Sequence, residues 1–293
     1  FKNDGIKPQV GDFVTFEEGA GEEDDGWITE IHERKNSFIR PPIANVDCFV
    51  IVMAAAQPKP NLAVMDKFLV MAEMNHTDIV LCVNKTDLAK EKTINELKEI
   101  YGKVYPMVFV SCNKKEGLDE LRSMMKGKHV ALAGPSGVGK STILNNLIPG
   151  ADAETGSISH KSKRGKHTTR HSELFDLGDG TMLFDTPGFT SFDILEADED
   201  ELHHMYPEMA PYAGKCKYDN CRHIKEPECA VRDAVEAGEI SQQRYDSYKT
   251  QWESHLPTPP VLAYRRGYIH GTSHAESHPP LQRECACLPQ FPA

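Results

Sequence analysis

Two rhythms of apolar residues divide the chain. Between residues 8 and 46, apolar and polar positions alternate in two short segments, Val10 to Phe16 and Gly26 to Ile31, separated by an acidic, glycine-containing stretch. Period-two alternation predicts strands, here a β-hairpin belonging to a small barrel. The run Glu22-Glu23-Asp24-Asp25 between them reads as a solvated loop. Two strands do not make a stable domain alone, so this segment is expected to be a fragment or to dock on the rest of the chain. From Asp47 the pattern changes to continuous apolar runs alternating with amphipathic stretches. Strands are predicted over 48–53, 79–83 and 107–110 and in the run His129 to Gly134, with helices near 61–75 and 91–101 and another from Lys140. Such βαβα alternation predicts a mostly parallel sheet covered on both faces. A hairpin-like pair, Glu173 to Leu177 and Thr181 to Phe184, precedes Asp185, and residues 196–253 read as helical with a cysteine-rich interruption. Beyond His255 the chain is rich in Pro, Ser and His without periodicity, and disorder is expected there.

Chemistry sits at the ends of the predicted strands. Gly134-Pro135-Ser136-Gly137-Val138-Gly139-Lys140-Ser141-Thr142 follows one strand and opens a helix, the context a phosphate loop requires. Its glycines let backbone N–H groups surround phosphates, and the helix N-terminus adds positive dipole. Lys140 neutralises β and γ oxygens, and Ser141 offers a hydroxyl to Mg²⁺. Asn84-Lys85-Thr86-Asp87 ends another strand. The Asp87 carboxylate can accept from guanine N1–H and the exocyclic N2 amino group, whereas adenine has no such donor pair and is disfavoured by roughly 10⁴-fold or more. Taken alone, this tetrapeptide is equally a polar turn capped by Asp87. Ser111-Cys112-Asn113, at the end of a further strand, supplies a backbone segment to support the base from its other side and turns the balance toward guanine.

Asp185-Thr186-Pro187-Gly188 follows the last apolar strand. Asp185 would hold Mg²⁺ through water, and the Gly188 amide would sense the γ-phosphate; a simple turn is the plainer reading of this tetrapeptide. Between the phosphate loop and Asp185, either Thr168 or Thr169 could reach the metal when GTP is bound. The position after Gly188 is Phe189, which cannot orient a water by a strong hydrogen bond. His167 is a candidate for that task, though a loop histidine more often contacts phosphate or solvent. An ATP-using enzyme is opposed by Asp87; a non-catalytic GTP-responsive RNA-binding switch is the main alternative to a GTP hydrolase. The base-reading motifs here precede the phosphate loop, the reverse of the ordinary GTPase order. A parallel sheet tolerates this if the old termini are joined and the chain is opened elsewhere.

Composition narrows the picture. At 293 residues, roughly two or three units are expected. No apolar run approaches the roughly 20 residues that span a bilayer, so a membrane protein is not expected. The N-terminus shows no basic segment leading into an apolar one, so no secretory signal is read and a cytoplasmic location is expected, while the start at Phe1 without Met suggests a trimmed chain. A net charge of −11 argues against general attraction to nucleic acid, so any RNA contact must be local. The basic segment Ser159 to His171, with Lys161, Lys163, Arg164, Lys166 and Arg170, is such a place. Of eight cysteines, Cys216, Cys221 and Cys229 cluster with His223 within fourteen residues of polar sequence. Burial does not explain them there, and four soft or borderline ligands match tetrahedral zinc with no open position, hence a structural site.

With rotated motifs and this cluster in one chain, the sequence resembles the ribosome small subunit-dependent GTPase A family over residues 1–255. The resemblance includes Ile39 to Asp47 as a link and Glu226 to Tyr245 as a helical end. It implies an α/β circularly permuted P-loop GTPase domain at 47–205, a partial N-terminal OB-fold β-barrel at 1–46 lacking its first strand or strands, and a C-terminal zinc-binding helical domain at 206–255. It also implies GTP hydrolysis stimulated by the small ribosomal subunit, contact with 16S-type rRNA, and action late in subunit assembly. A monomer is expected. Residues 256–293 do not resemble the family's end and are expected to carry no function.

Overall fold

The computed structural model describes residues 7–17, 26–39, 41–148, 172–185 and 201–255. Val14–Glu17 (β1) and Trp27–Ile31 (β2) pair antiparallel, with an irregularity between Thr15 and Phe16. The expected hairpin docks: Phe13 stacks on His129 with ring centroids 5.4 Å apart, and Val10 bridges Ile43. Among the described residues this segment forms two strands and isolated bridges, less than an OB barrel.

The next strand, Cys48–Ala54 (β3), has all seven residues buried, as only a central strand covered on both faces can. Even positions Cys48, Val50 and Val52 face one apolar cluster, odd positions Phe49, Ile51 and Met53 the other. The odd-side cluster takes residues from Leu62–Met74 (α1), among them Met65, Phe68 and Leu69. Beyond α1 come Asp78–Asn84 (β4) and Glu91–Tyr101 (α2), whose Leu97 and Tyr101 join the same face. Met107–Phe109 (β5) leads to Leu118–Met125 (α3), and His129–Ala133 (β6) leads to Lys140–Leu147 (α4). Leu121, Met125, Ile143, Leu144 and Leu147 of these helices fill the even side. Each such side chain contributes about 1.5–3 kcal/mol by leaving water, an upper figure for a compact unfolded chain. Helix α3 is absent from the sequence-based expectation because its eight residues bury only Leu121 and Met125, too few to show a period.

Glu173–Asp176 (β7) and Met182–Asp185 (β8) form the expected hairpin, completing a mixed sheet of order β5-β4-β3-β6-β8-β7 in which only the β7–β8 pairing is antiparallel. The parallel strands β3, β4, β5, β6 and β8 therefore release their carboxyl ends along one edge, where α/β sheets bind ligands.

Residues 201–255 depart from a simple helical reading. Two 3-10 turns, Leu202–Met205 and Pro207–Tyr212, carry Pro207 and Pro211, whose missing N–H groups interrupt an α-helical ladder. Ala230–Glu236 (α5) and Gln242–His255 (α6) follow. Leu202, Tyr206, Val231, Tyr245 and Tyr248 share a cluster with Val70 of α1, which seats this segment on the sheet-covering helix. No helix of the described residues is long and apolar enough to cross a membrane. Residues 256–293, expected to be disordered, and the acidic run 22–25 lie outside the described residues.

Candidate nucleotide site and metal centre

The loop between β6 and α4 turns on left-handed backbone at Gly134 (φ 138°) and Gly139 (φ 100°). A Cβ at Gly134 would lie 2.2 Å from the Val52 carbonyl oxygen, and one at Gly139 2.3 Å from Asn84 Nδ2, so both positions need glycine twice over. The first helical bond of α4 runs from Ile143 N to Gly139 O, which leaves the amides of Lys140, Ser141 and Thr142 facing out of the helix N-terminus. Lys140 Nζ donates to the carbonyls of Gly134 (2.6 Å) and Pro135 (2.9 Å), and burial lowers its pKa to about 8. Ser136 and Gly137 are exposed at the tip, while Val138 is buried beneath it.

The tetrapeptide 84–87 is clasped to this loop. Asn84 is 2% exposed; its Nδ2 donates to Val138 O at 2.9 Å, and its Oδ1 accepts from Lys85 N at 2.8 Å. Lys85, itself left-handed at φ 60°, donates from Nζ to Gly137 O at 2.7 Å and to Gln57 O. Gln57 lies in the segment joining β3 to α1, which pattern reading did not single out because its contribution is a backbone carbonyl. Thr86 ties the other flank, its N and Oγ1 both donating to Val110 O at 3.3 and 3.1 Å. Asp87 accepts from Ser111 Oγ at Oδ1 (2.8 Å) and from Asn113 Nδ2 at Oδ2 (3.2 Å). The Ser111 and Asn113 donors hold its pKa below the usual carboxylate value. Ser111 is buried and fixed by reciprocal backbone bonds with Glu116, both 3.0 Å, and burial raises the neighbouring Cys112 thiol to about 11. Asp185 ends β8, beside the strand that launches the phosphate loop; burial, then Glu173, raises its pKa. His167, Thr168, Thr169 and Gly188 lie outside the described residues.

Far from these in sequence, Cys216 Sγ, Cys221 Sγ, His223 Nδ1 or Nε2 and Cys229 Sγ lie within 4.8 Å of one another. Cys216 and Cys229 sulfurs are 3.9 Å apart and stand 3.5 and 3.4 Å from His223 Nδ1. A tetrahedron with Zn–S bonds of about 2.3 Å has edges of about 3.8 Å, so the donor set fits zinc, with Nδ1 as the imidazole ligand. Burial lowers the His223 pKa to about 4, keeping the imidazole neutral and able to ligate. The loop is shaped by left-handed His223 (φ 61°) and by the Glu226 carboxylate, which accepts from the N–H groups of Arg222, Ile224 and Lys225.

Known proteins resemble the chain in sequence and in fold. The RsgA GTPase family profile matches residues 31–195. A protein of Agathobacter rectalis named small ribosomal subunit biogenesis GTPase RsgA is 43% identical over 254 residues, covering 86% of this chain and 84% of its own. One of the same name from Clostridium perfringens is 44% identical over 249 residues, covering 85% of each. Among solved structures, YjeQ from Thermotoga maritima superposes with a TM-score of 0.77 at 35% identity, over 88% of both chains. YloQ, described as a circularly permuted GTPase, gives 0.72 at 34% identity over 88% of this chain and 85% of its own. The matched span holds both the base-side tetrapeptide and the phosphate loop, in the rotated order read from the sequence, and the chain belongs to the RsgA GTPase family.

Proposed function

We propose that this chain is a GTP hydrolase, releasing GDP and phosphate, that binds the small ribosomal subunit and its 16S-type rRNA and acts late in that subunit's maturation. The observation that carries the chemistry is the clasp of Asn84 and Lys85 on Val138 and Gly137, which joins a base-reading tetrapeptide to a phosphate loop. The relatives' name, small ribosomal subunit biogenesis GTPase, supplies the partner.

In this reading the two oxygens of Asp87 accept from guanine N1–H and the N2 amino group. Ser111 and Asn113 keep that carboxylate ionised and aimed, and the 111–113 backbone, with Cys112 at its centre, supports the base. The backbone N–H groups of residues 136–142 surround the phosphates, and Lys140 exchanges its loop carbonyls for the β and γ oxygens. Bound Mg²⁺ would neutralise charge on those oxygens. Ser141, in the first turn of α4, and Asp185, a half-buried carboxyl that a cation would relieve, are suited to hold it, with Thr168 or Thr169 completing the set. Gly188 senses the γ-phosphate and His167 is the candidate to orient water. The family's domain plan is carried over with it: partial OB-fold at 1–46, permuted GTPase at 47–205, zinc-binding helical domain at 206–255 and a tail at 256–293 without function, in a cytoplasmic monomer.

Because Phe189 leaves the attacking water without a strong orienting partner, intrinsic turnover is expected to be slow and to rise at least about tenfold with small subunits. Replacing Lys163 and Arg164 together is expected to reduce that stimulation selectively, since rRNA phosphates meeting the basic segment 159–171 would order it around GTP. Turnover is compared with and without subunits at two salt concentrations. Equal rates at low salt would favour the GTP-responsive switch instead.

Freshly purified protein is expected to contain about one zinc per chain, held in a closed, structural shell. Cys221→Ser should lose the metal and lower the melting temperature of the C-terminal segment, whose polar loop gains its order from ligation. Elemental analysis that finds no metal in unchelated protein overturns the zinc assignment.

A further inference from the structure

The buried face of α6 is polar. Arg244, Tyr245, Ser247, Tyr248 and Gln251 are all buried, Arg244 completely. The guanidinium of Arg244 donates from Nη1 to Asp66 Oδ1 at 2.6 Å, from Nε to Glu208 Oε1 at 2.7 Å and from Nη2 to Glu208 Oε2 at 3.2 Å. Tyr101 of α2 donates to the same Asp66 oxygen at 3.0 Å, and the Tyr206 ring lies 4.6 Å from the guanidinium carbon. One side chain thus joins α1, α6 and the turn Pro207–Tyr212. Such a cluster adds little net stability, because desolvation offsets most of the attraction. Removing one member, however, leaves a buried charge uncompensated and is strongly destabilising. Any register that separates these partners is therefore penalised.

Each side of this joint leads to a site. On α6, Tyr245 OH donates to His223 O at 2.7 Å and Tyr248 OH to Arg222 O at 2.5 Å, so the helix holds the backbone of the metal-ligand loop. On the other side, α1 begins directly after the segment 55–60. There Ala55 N donates to Asn84 O at 2.8 Å, Gln57 O accepts from Lys85 Nζ, and Pro58 Cδ would lie 3.9 Å from a Cβ at Gly137. The segment touches both the base-reading tetrapeptide and the phosphate loop.

We propose that the Cys3His site and the nucleotide site are thermodynamically coupled through α6, with Arg244 as the positioning residue. An ordered ligand loop holds α6 in register, Arg244 then holds α1, and α1 sets segment 55–60 against Lys85 and Gly137. The coupling rests on the GTP and zinc readings above, and it is reciprocal: zinc tightens guanine nucleotide by the factor by which nucleotide tightens zinc.

The test uses the full chain, zinc-loaded or stripped with a zinc-selective chelator in excess Mg²⁺, and a fluorescent GDP as probe. Stripping is expected to weaken GDP binding about fivefold or more, and GDP to tighten zinc by the same factor in chelator competition. In Asp66→Asn, where Arg244 keeps Glu208, and in the Tyr245→Phe, Tyr248→Phe pair, the two factors should fall towards one. GDP affinities that agree within about twofold between loaded and stripped protein of unchanged circular dichroism overturn the coupling. If stripping unfolds the whole chain, the zinc-loaded variants decide: GDP affinity in Asp66→Asn is expected to be weaker than in the parent, and equality overturns the proposal. Loaded protein that binds no GDP, or unchelated protein that holds no zinc, removes the corresponding site reading and the coupling with it.

Discussion

Lys140→Ala is expected to lower subunit-stimulated GTP turnover by about 10²–10³-fold or more, the scale of removing one preorganised charge from a developing phosphoryl transition state. The residue is placed for this: it opens α4, its Nζ rests on the Gly134 and Pro135 carbonyls, and it is surrounded by the loop whose amides face outward. The loss should fall on kcat as well as on affinity, because the ammonium meets more charge on the γ oxygens in the transition state than in the bound substrate. A second signature separates charge from packing. Burial lowers Lys140 to about 8 in the nucleotide-free protein, and phosphate would raise it again. Below pH 8 the ammonium is already present and binding moves no proton on its account. Above it, binding draws a proton onto Lys140, so affinity declines as pH rises through about 8. Calorimetry at pH 8.5 in buffers of different ionisation enthalpy should show that uptake in the parent chain and its absence in Lys140→Ala. Turnover within about threefold of the parent would remove Lys140 from the chemistry.

Asp87→Asn is expected to weaken GTP binding by about 10²-fold or more while improving xanthosine triphosphate. The amide presents a donor where guanine presents donors, whereas xanthine offers an oxygen at that position and accepts it. The fold around the residue should survive, since Thr86 anchors the turn to Val110 O independently and Ser111 Oγ can donate to an amide oxygen as to a carboxylate. In the parent chain, the Ser111 and Asn113 donors keep Asp87 ionised to lower pH than an unassisted carboxylate. The preference for guanine is therefore expected to persist into mildly acidic solution and to fade only as pH falls through that depressed pKa. Competition among GTP, xanthosine triphosphate and ATP measures the ranking. An unchanged order in Asp87→Asn would sink the base-reading assignment and leave the tetrapeptide a capped turn.

The candidate sites of this chain were legible wherever they are local. A phosphate loop is nine consecutive residues, Gly134 to Thr142, whose spacing already encodes a strand end, a glycine-bent backbone and a helix start. The Cys3His cluster lies within fourteen residues of polar sequence, where burial is not expected of cysteines and another reason for them is called for. The rotated order of motifs is visible for the same reason, since order along a chain is a property of the sequence alone. Strand β3 could be read because a short apolar run rich in β-branched and aromatic residues, followed by an amphipathic stretch, suits a strand in a sheet covered on both faces.

What joins these parts was decided in three dimensions. Asn84 meets Val138 across 54 residues of chain, and Arg244 meets Asp66 across 178. A backbone carbonyl such as Gln57 O carries no side-chain signature, so its hold on Lys85 could not be read from residue type. The buried side of α6 is made of Arg, Tyr, Ser and Gln, which by composition belongs to solvent. It is inside because Asp66 and Glu208, brought from distant segments, neutralise Arg244, and because the carbonyls of Arg222 and His223 receive its tyrosines. Periodicity detects burial only when the buried groups are apolar; where burial rests on paired charges and hydrogen bonds, the partners must be in place before the pattern has a meaning.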